Sequence, residues 1–224
     1  RRWSAPAVLA PHNAGPDRRY GAHLALSDRF AAIGSPVDPQ NGPDTGAVSV
    51  YPVGPEGIGI THQRLTAQEP AQGDRFGVVT LSGDTLAVGA PGTDGPLDSG
   101  AVSIFALDDD DRWAGLQVLR ASDARPGDGF GAHLAIAGDT LFVAAPGADR
   151  AEENAGAVYV FTRGDDALWT EQQILTHDAA QADERFGASV SLSGNTALIG
   201  TLGANSAYVF TQDDGGWSQQ HALA

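Results

Sequence analysis

Two histidines occupy matching places in the chain, in Gly21-Ala22-His23-Leu24 and Gly131-Ala132-His133-Leu134. An imidazole changes charge near neutral pH and ligates metals, so two of them brought together would share a metal or an anion. Two ligands alone make a poor metal site, and the plain alternative is a strand side chain satisfied locally at each place. His12, His62, His177 and His221 show no ligand spacing. A second set is acidic. Asp38, Asn41 and Asp44, then Asp94 and Asp98, then Asp149, Glu152 and Glu153 fall in three loops, 37–45, 92–99 and 147–155. Loops carried by a rigid scaffold often hold binding residues, which makes these eight the candidate ligand-binding set. Asp38-x-x-Asn41-Gly42-x-Asp44 offers oxygen donors without the order of an EF-hand. Weak calcium binding is therefore the only cofactor left open, and no other is expected. The run Asp108–Asp111 reads as a solvated acidic turn. There is no Gly-x-Ser-x-Gly, no His-Glu-x-x-His and no Gly-Lys-Ser/Thr, so no catalytic residue is assigned from motifs.

Composition narrows the partners. The formal charge is −15, with 28 acidic residues against 13 basic ones, all arginine. That surface repels phosphate backbones and anionic lipid, which argues against nucleic acid. No run reaches the roughly 18 apolar residues of a membrane span. Cysteine is absent, so neither disulfides nor thiol chemistry enters. Methionine is absent even at position 1, which reads as a processed or trimmed product.

The elements that must position these residues repeat. Tyr20-Gly21, Phe76-Gly77, Phe130-Gly131 and Phe186-Gly187 are spaced by 56, 54 and 56 residues. Behind each comes Gly34-Ser35-Pro36, Gly89-Ala90-Pro91, Ala144-Ala145-Pro146 or a degraded Gly200-Thr201-Leu202, and then Gly46 to Tyr51, Gly100 to Phe105, Gly156 to Phe161 or Ser206 to Phe210. Trp3, Trp113, Trp169 and Trp217 each stand six residues before a leucine, and Gly59 keeps that spacing without the indole. In the third copy the alternation predicts strands over 131–136, 140–145, 157–161 and 169–175, joined by Gly/Asp turns. Four short antiparallel strands repeated at this period make a β-propeller blade. The chain is expected to be one all-β domain over 1–224, with units near 17–70, 71–124, 125–180 and 181–224 and a terminal strand at 3–10.

Phe76-Gly77, Gly89-Ala90-Pro91 and 100–105, with Leu81-Ser82-Gly83-Asp84-Thr85 between, resemble the FG-GAP repeat of integrin α subunits and of bacterial surface proteins. The resemblance is nearer to the bacterial subgroup and covers essentially the whole chain. It implies a propeller and an extracellular or cell-envelope binding and adhesion module without catalysis. Its protein or glycan ligand would meet the loops of one face. Three features depart from the family. The first hairpin is too short for an integrin-type calcium loop, the last unit lacks the Gly-Ala-Pro phrase, and the repeats number four where seven are usual. A small four-bladed ring is expected, with His23 opposite His133 across a central channel. One use for the surplus terminal strand is self-association. The alternatives are a lectin stacking sugar on the tryptophans, a polysaccharide-active hydrolase or lyase on the same scaffold, and a structural repeat without ligand.

Overall fold

The computed structural model describes residues 9, 18–39, 41–59, 62–92 and 99–223. Among them there is no helix. The third copy shows how sequence becomes blade. Strands β10 (His133–Ala137), β11 (Thr140–Ala145), β12 (Ala157–Arg163) and β13 (Trp169–Leu175) pair antiparallel in that order. The first starts two residues later than predicted, because Gly131 is at φ +93 and cannot extend the strand. The hairpin is tight, with Ala137 opposite Thr140. The second blade repeats the plan with β6 (Val78–Ser82), β7 (Thr85–Ala90), β8 (Ala101–Leu107) and β9 (Trp113–Leu119), and the fourth with β14 (Ser189–Ser193), β15 (Thr196–Gly200), β16 (Ala207–Asp213) and β17 (Gly216–Leu223). Where the last two strands of each of these blades pair, the register slips by one residue, at Ile104/Phe105, Val160/Phe161 and Val209/Phe210. The Trp-to-Leu spacing therefore contains one bulged residue.

The first blade differs at its outer edge. β1 (Leu24–Leu26), β2 (Phe30–Ser35) and β3 (Ala47–Gly54) pair as expected, but β3 then turns into the short β4 (Gly57–Ile58), while β5 (Gln63–Leu65) pairs β3 further in. Gly59 explains the missing indole: a side chain there would start 2.9 Å from the Pro52 ring.

Strands buried on both faces need a neighbour on each side. Phe30, Val48, Val88 and Trp113 fill the layer between the first two blades. Ile104, Leu141, Val143 and Trp169 fill the next. Phe142, Val160, Ile199 and Trp217 fill the third. The first strands converge, with β1 on β6, β6 on β10 and β10 on β14, and they form the inner edge of the arc.

The recurring phrases are the joints between blades. The fully buried Phe76, Phe130 and Phe186 form parallel bridges to Gly46, Gly100 and Gly156 of the preceding blade. Each Phe N–H donates to the carbonyl just before that glycine, Thr45 at 3.1 Å, Ser99 at 2.8 Å and Ala155 at 2.8 Å. A Cβ on those glycines would stand 2.6, 2.7 and 2.5 Å from the incoming Phe nitrogen, and closer still to its carbonyl oxygen. Their φ values of +81°, +90° and +86° also favour glycine.

The described residues form an open arc and not the expected four-bladed ring. Leu24 and Leu26 are 69% and 71% exposed, although their counterparts Val79, Leu81, Leu134 and Ile136 pack on a preceding blade. At the other end Leu198 is 45% exposed, whereas its counterparts Ala32, Ala87 and Phe142 are fully buried under a following blade. The C-terminal strand β17 is the fourth strand of its own blade, and the terminal strand expected at 3–10 lies outside the described residues apart from Leu9.

Gly138 in the β10–β11 turn has φ +57° and open space around its Cβ position. Gly138→Ala should cost the left-handed backbone penalty alone, about 1–2 kcal/mol. Gly100→Ala carries that penalty and a collision with Phe130 as well, so its urea midpoint should fall clearly below that of Gly138→Ala. Equal midpoints would contradict the joint.

Candidate functional site

The inner edge carries the two histidines. His133 opens β10, and the His23 carbonyl accepts the Gly34 N–H at 2.9 Å, which holds it in register just before β1. Both side chains are partly buried, and burial pushes both imidazoles below their ordinary value of 6.5. The charge of His23 lowers His133 further. Both therefore stay neutral near pH 7, with a free nitrogen lone pair each. Ser189 holds the equivalent place on β14.

Among the described residues the acidic loop side chains form no group of three that could hold a metal ion. Asp38 is buried, its carboxylate held by Arg18 at 3.2 Å and Arg64 at 2.7 Å. That carboxylate is matched to two guanidinium groups and is spent on the first blade. Asn41 is exposed, and Asp44 is at φ +52° in the turn that leads to Gly46. Asp149 caps its own loop through the Asn154 N–H at 2.7 Å, while Glu152 and Glu153 are exposed. Asp94 and Asp98 lie outside the described residues.

At the opposite, hairpin end a cleft of about 550 Å³ opens between the first two blades, lined by Arg29, Phe30, His62, Gln63, Arg112 and Trp113. Arg29 bridges Asp84 at 3.0 Å and Asp111 at 2.6 Å across its rim.

The described tryptophans, 113, 169 and 217, are almost wholly buried between blades. They offer no face to a sugar, which overturns stacking on those indoles as a lectin site. Trp3 lies outside the described residues.

Two repeated polar sets were missed in the sequence. Gln63, Gln117 and Gln173 each grip the backbone of the next blade's tryptophan with both ends of the amide, at 2.7–2.9 Å. Asp74, Asp128 and Glu184, each two residues before a Phe, accept the N–H of residues 71, 125 and 181 at 2.6–2.9 Å. Both recur at the period of the Phe-Gly phrase, which is the signal that would have found them.

The FG-GAP repeat model matches residues 61–105, 113–161 and 169–210. The chain belongs to the FG-GAP repeat family. No curated protein matches it. Among solved structures this FG-GAP chain is similar to the periplasmic gluconolactonase of Pseudomonas aeruginosa, with TM-score 0.64 and 18% identity over 98% of this chain and 60% of that one. It is also similar to a protein of Bacteroides uniformis assigned as a 6-phosphogluconolactonase, with TM-score 0.64 and 18% identity over 91% and 57%. Apo AztD of Citrobacter koseri gives TM-score 0.51 and 10% identity over 90% and 47%. These likenesses establish the propeller fold, and the chain spans about half to three-fifths of each neighbour's length.

The expected non-catalytic adhesion module is corrected here. Several of the propellers that superpose on this arc carry the names of lactonases, so the scaffold by itself does not mark a non-catalytic adhesion module.

The histidine pair makes a pH prediction. Because folding depresses both pKa values, the unfolded chain binds these protons more readily. The pair leaves stability untouched above about pH 6.5 and costs stability as pH falls from there through the folded pKa values. In an NMR titration His133 should titrate below the ordinary imidazole value and move back up in His23→Asn. An unmoved His133 would show that the rings do not sense each other.

Proposed function

We propose that this FG-GAP arc is part of a propeller-scaffold hydrolase that opens small cyclic sugar esters, and that His133 and His23 supply its base chemistry. The observation that carries this reading is the pair of partly buried, neutral imidazoles on the inner edge. The fold neighbours support it by the lactonase activity in their names. A neutral imidazole accepts the proton of an attacking water, and a general base so placed accelerates hydrolysis typically 10²–10⁴-fold. Water adds to the lactone carbonyl, and the ring C–O bond breaks. The imidazolium then returns the proton to the departing ring oxygen, leaving an open hydroxy acid. The acidic surface suits a neutral lactone better than an anionic one, and it favours release of the acid product. A location outside the cytoplasm fits the family and the periplasmic neighbour. No helix among the described residues is long and apolar enough to cross a membrane.

The test is hydrolysis of glucono-1,5-lactone followed in a pH-stat against the spontaneous rate. The protein should accelerate opening, with a rate that falls as pH drops through the histidine pKa values. His133→Asn should lower kcat/KM by about 10²-fold or more at an unchanged melting temperature. No acceleration by the protein, or a rate indifferent to both His133→Asn and His23→Asn, overturns the proposal.

A further inference from the structure

Three joints in this chain are made the same way, and the fourth blade would offer the next one. Its exposed side has the same layout as the buried sides of the other blades. Leu198 and Val209 stand where Phe142 and Val160 do, and Gly200 stands where Gly34 and Gly89 receive the next blade's Phe-Gly backbone. A Cβ on Gly34 would meet the Gly77 backbone and one on Gly89 the Gly131 backbone, but at Gly200 it meets only Ser189 of its own blade. The other end of the arc presents the matching half, Tyr20-Gly21 with Leu24 and Leu26 exposed. Two copies of the chain thus carry the two halves of a joint.

The fourth blade is altered at the atoms that would complete it. Register places Ala207 opposite Gly200 as Val48 is opposite Gly34, so Asn205 stands where Gly46, Gly100 and Gly156 stand. Asn205 keeps the left-handed backbone, at φ +50°. It adds the Cβ that at the three glycines would fall 2.5–2.7 Å from an incoming Phe nitrogen. The carbonyl that would receive that N–H, on Ala204, already accepts the Ser206 hydroxyl at 3.0 Å, and Ser206 replaces an alanine of the other copies. Thr201 ties the same loop shut, donating its N–H to the Ser206 carbonyl at 2.9 Å and accepting the Ser206 N–H at 3.2 Å. His221, opposite Val209 on β17, takes the place of Gln63, Gln117 and Gln173, so the two-ended grip on a following blade is lost too.

We infer that Asn205, supported by the Ser206 hydroxyl and His221, bars a second copy of this chain from docking its first blade onto the fourth, so that arcs with complementary ends do not join head to tail. An unblocked joint would be heterologous, and such contacts propagate into rings or open fibres.

The experiment is sedimentation velocity on the chain and on Asn205→Gly/Ser206→Ala/His221→Gln, over a hundredfold range of concentration. The substitutions lie in a loop and on an outer strand, and a circular dichroism melt confirms that the variant is folded. The parent should show no association that depends on Leu24 and Leu26. The triple variant should move to higher mass, and Leu24→Asp/Leu26→Asp added to it should reverse the shift. Two results overturn the inference. One is a parent that already associates and loses that association on Leu24→Asp/Leu26→Asp. The other is a folded triple variant whose mass matches the parent at every concentration.

Discussion

A peptide unit entering a place where no Cβ can stand sets the shape of this molecule. The backbone of Phe76, Phe130 or Phe186 lies against Gly46, Gly100 or Gly156, and the buried ring is held under the same junction. The spacing of the two phrases along the chain therefore fixes where each blade meets the next. The rest follows from that meeting. Central strands become buried on both faces, inner strands converge, and the glutamine amides reach the backbone of the next tryptophan. Two hydrogen bonds per glutamine, each worth roughly 0.5–1.5 kcal/mol, add direction to an apolar contact that by itself has none.

Polar groups near the joints are largely consumed by structure. Asp38 answers two arginines, and Asp74, Asp128 and Glu184 close the turns that deliver each aromatic–Gly phrase. Tyr159 donates to Asp123 at 2.8 Å, which also holds Arg150, and burial with that carboxylate pushes the phenol pKa up. His23 and His133 stand apart from this pattern. His133 opens β10 and His23 stands just before β1, both partly buried at the inner edge.

The blades were legible because their signature residues are dictated by contacts between copies. Glycine at 46, 100 and 156 and Phe at 76, 130 and 186 leave a mark at fixed period, and the strands follow from alternation. The arc's openness was not legible, since it depends on which faces find a neighbour. Repeat counting sees Leu26 and Leu81 as equivalent, while only one of them is covered. The split outer strand of the first blade was hidden behind a preserved Gly59-to-Leu65 spacing, and the collision with Pro52 appears only in three dimensions. Loop acidity also misled. Asp38 reads as a ligand on a loop and proves to be a buried counter-ion.

The central claim is that the Phe peptide units are locked joints between blades. Amide hydrogen exchange of Phe76, Phe130 and Phe186 tests it most directly. If the joints carry the fold, those three N–H groups exchange only through global unfolding, as slowly as the middle of β7 or β11. Exchange at the rate of the exposed Gly138 turn, with β7 and β11 still protected, would show that the blades stand without the joints and would contradict the account.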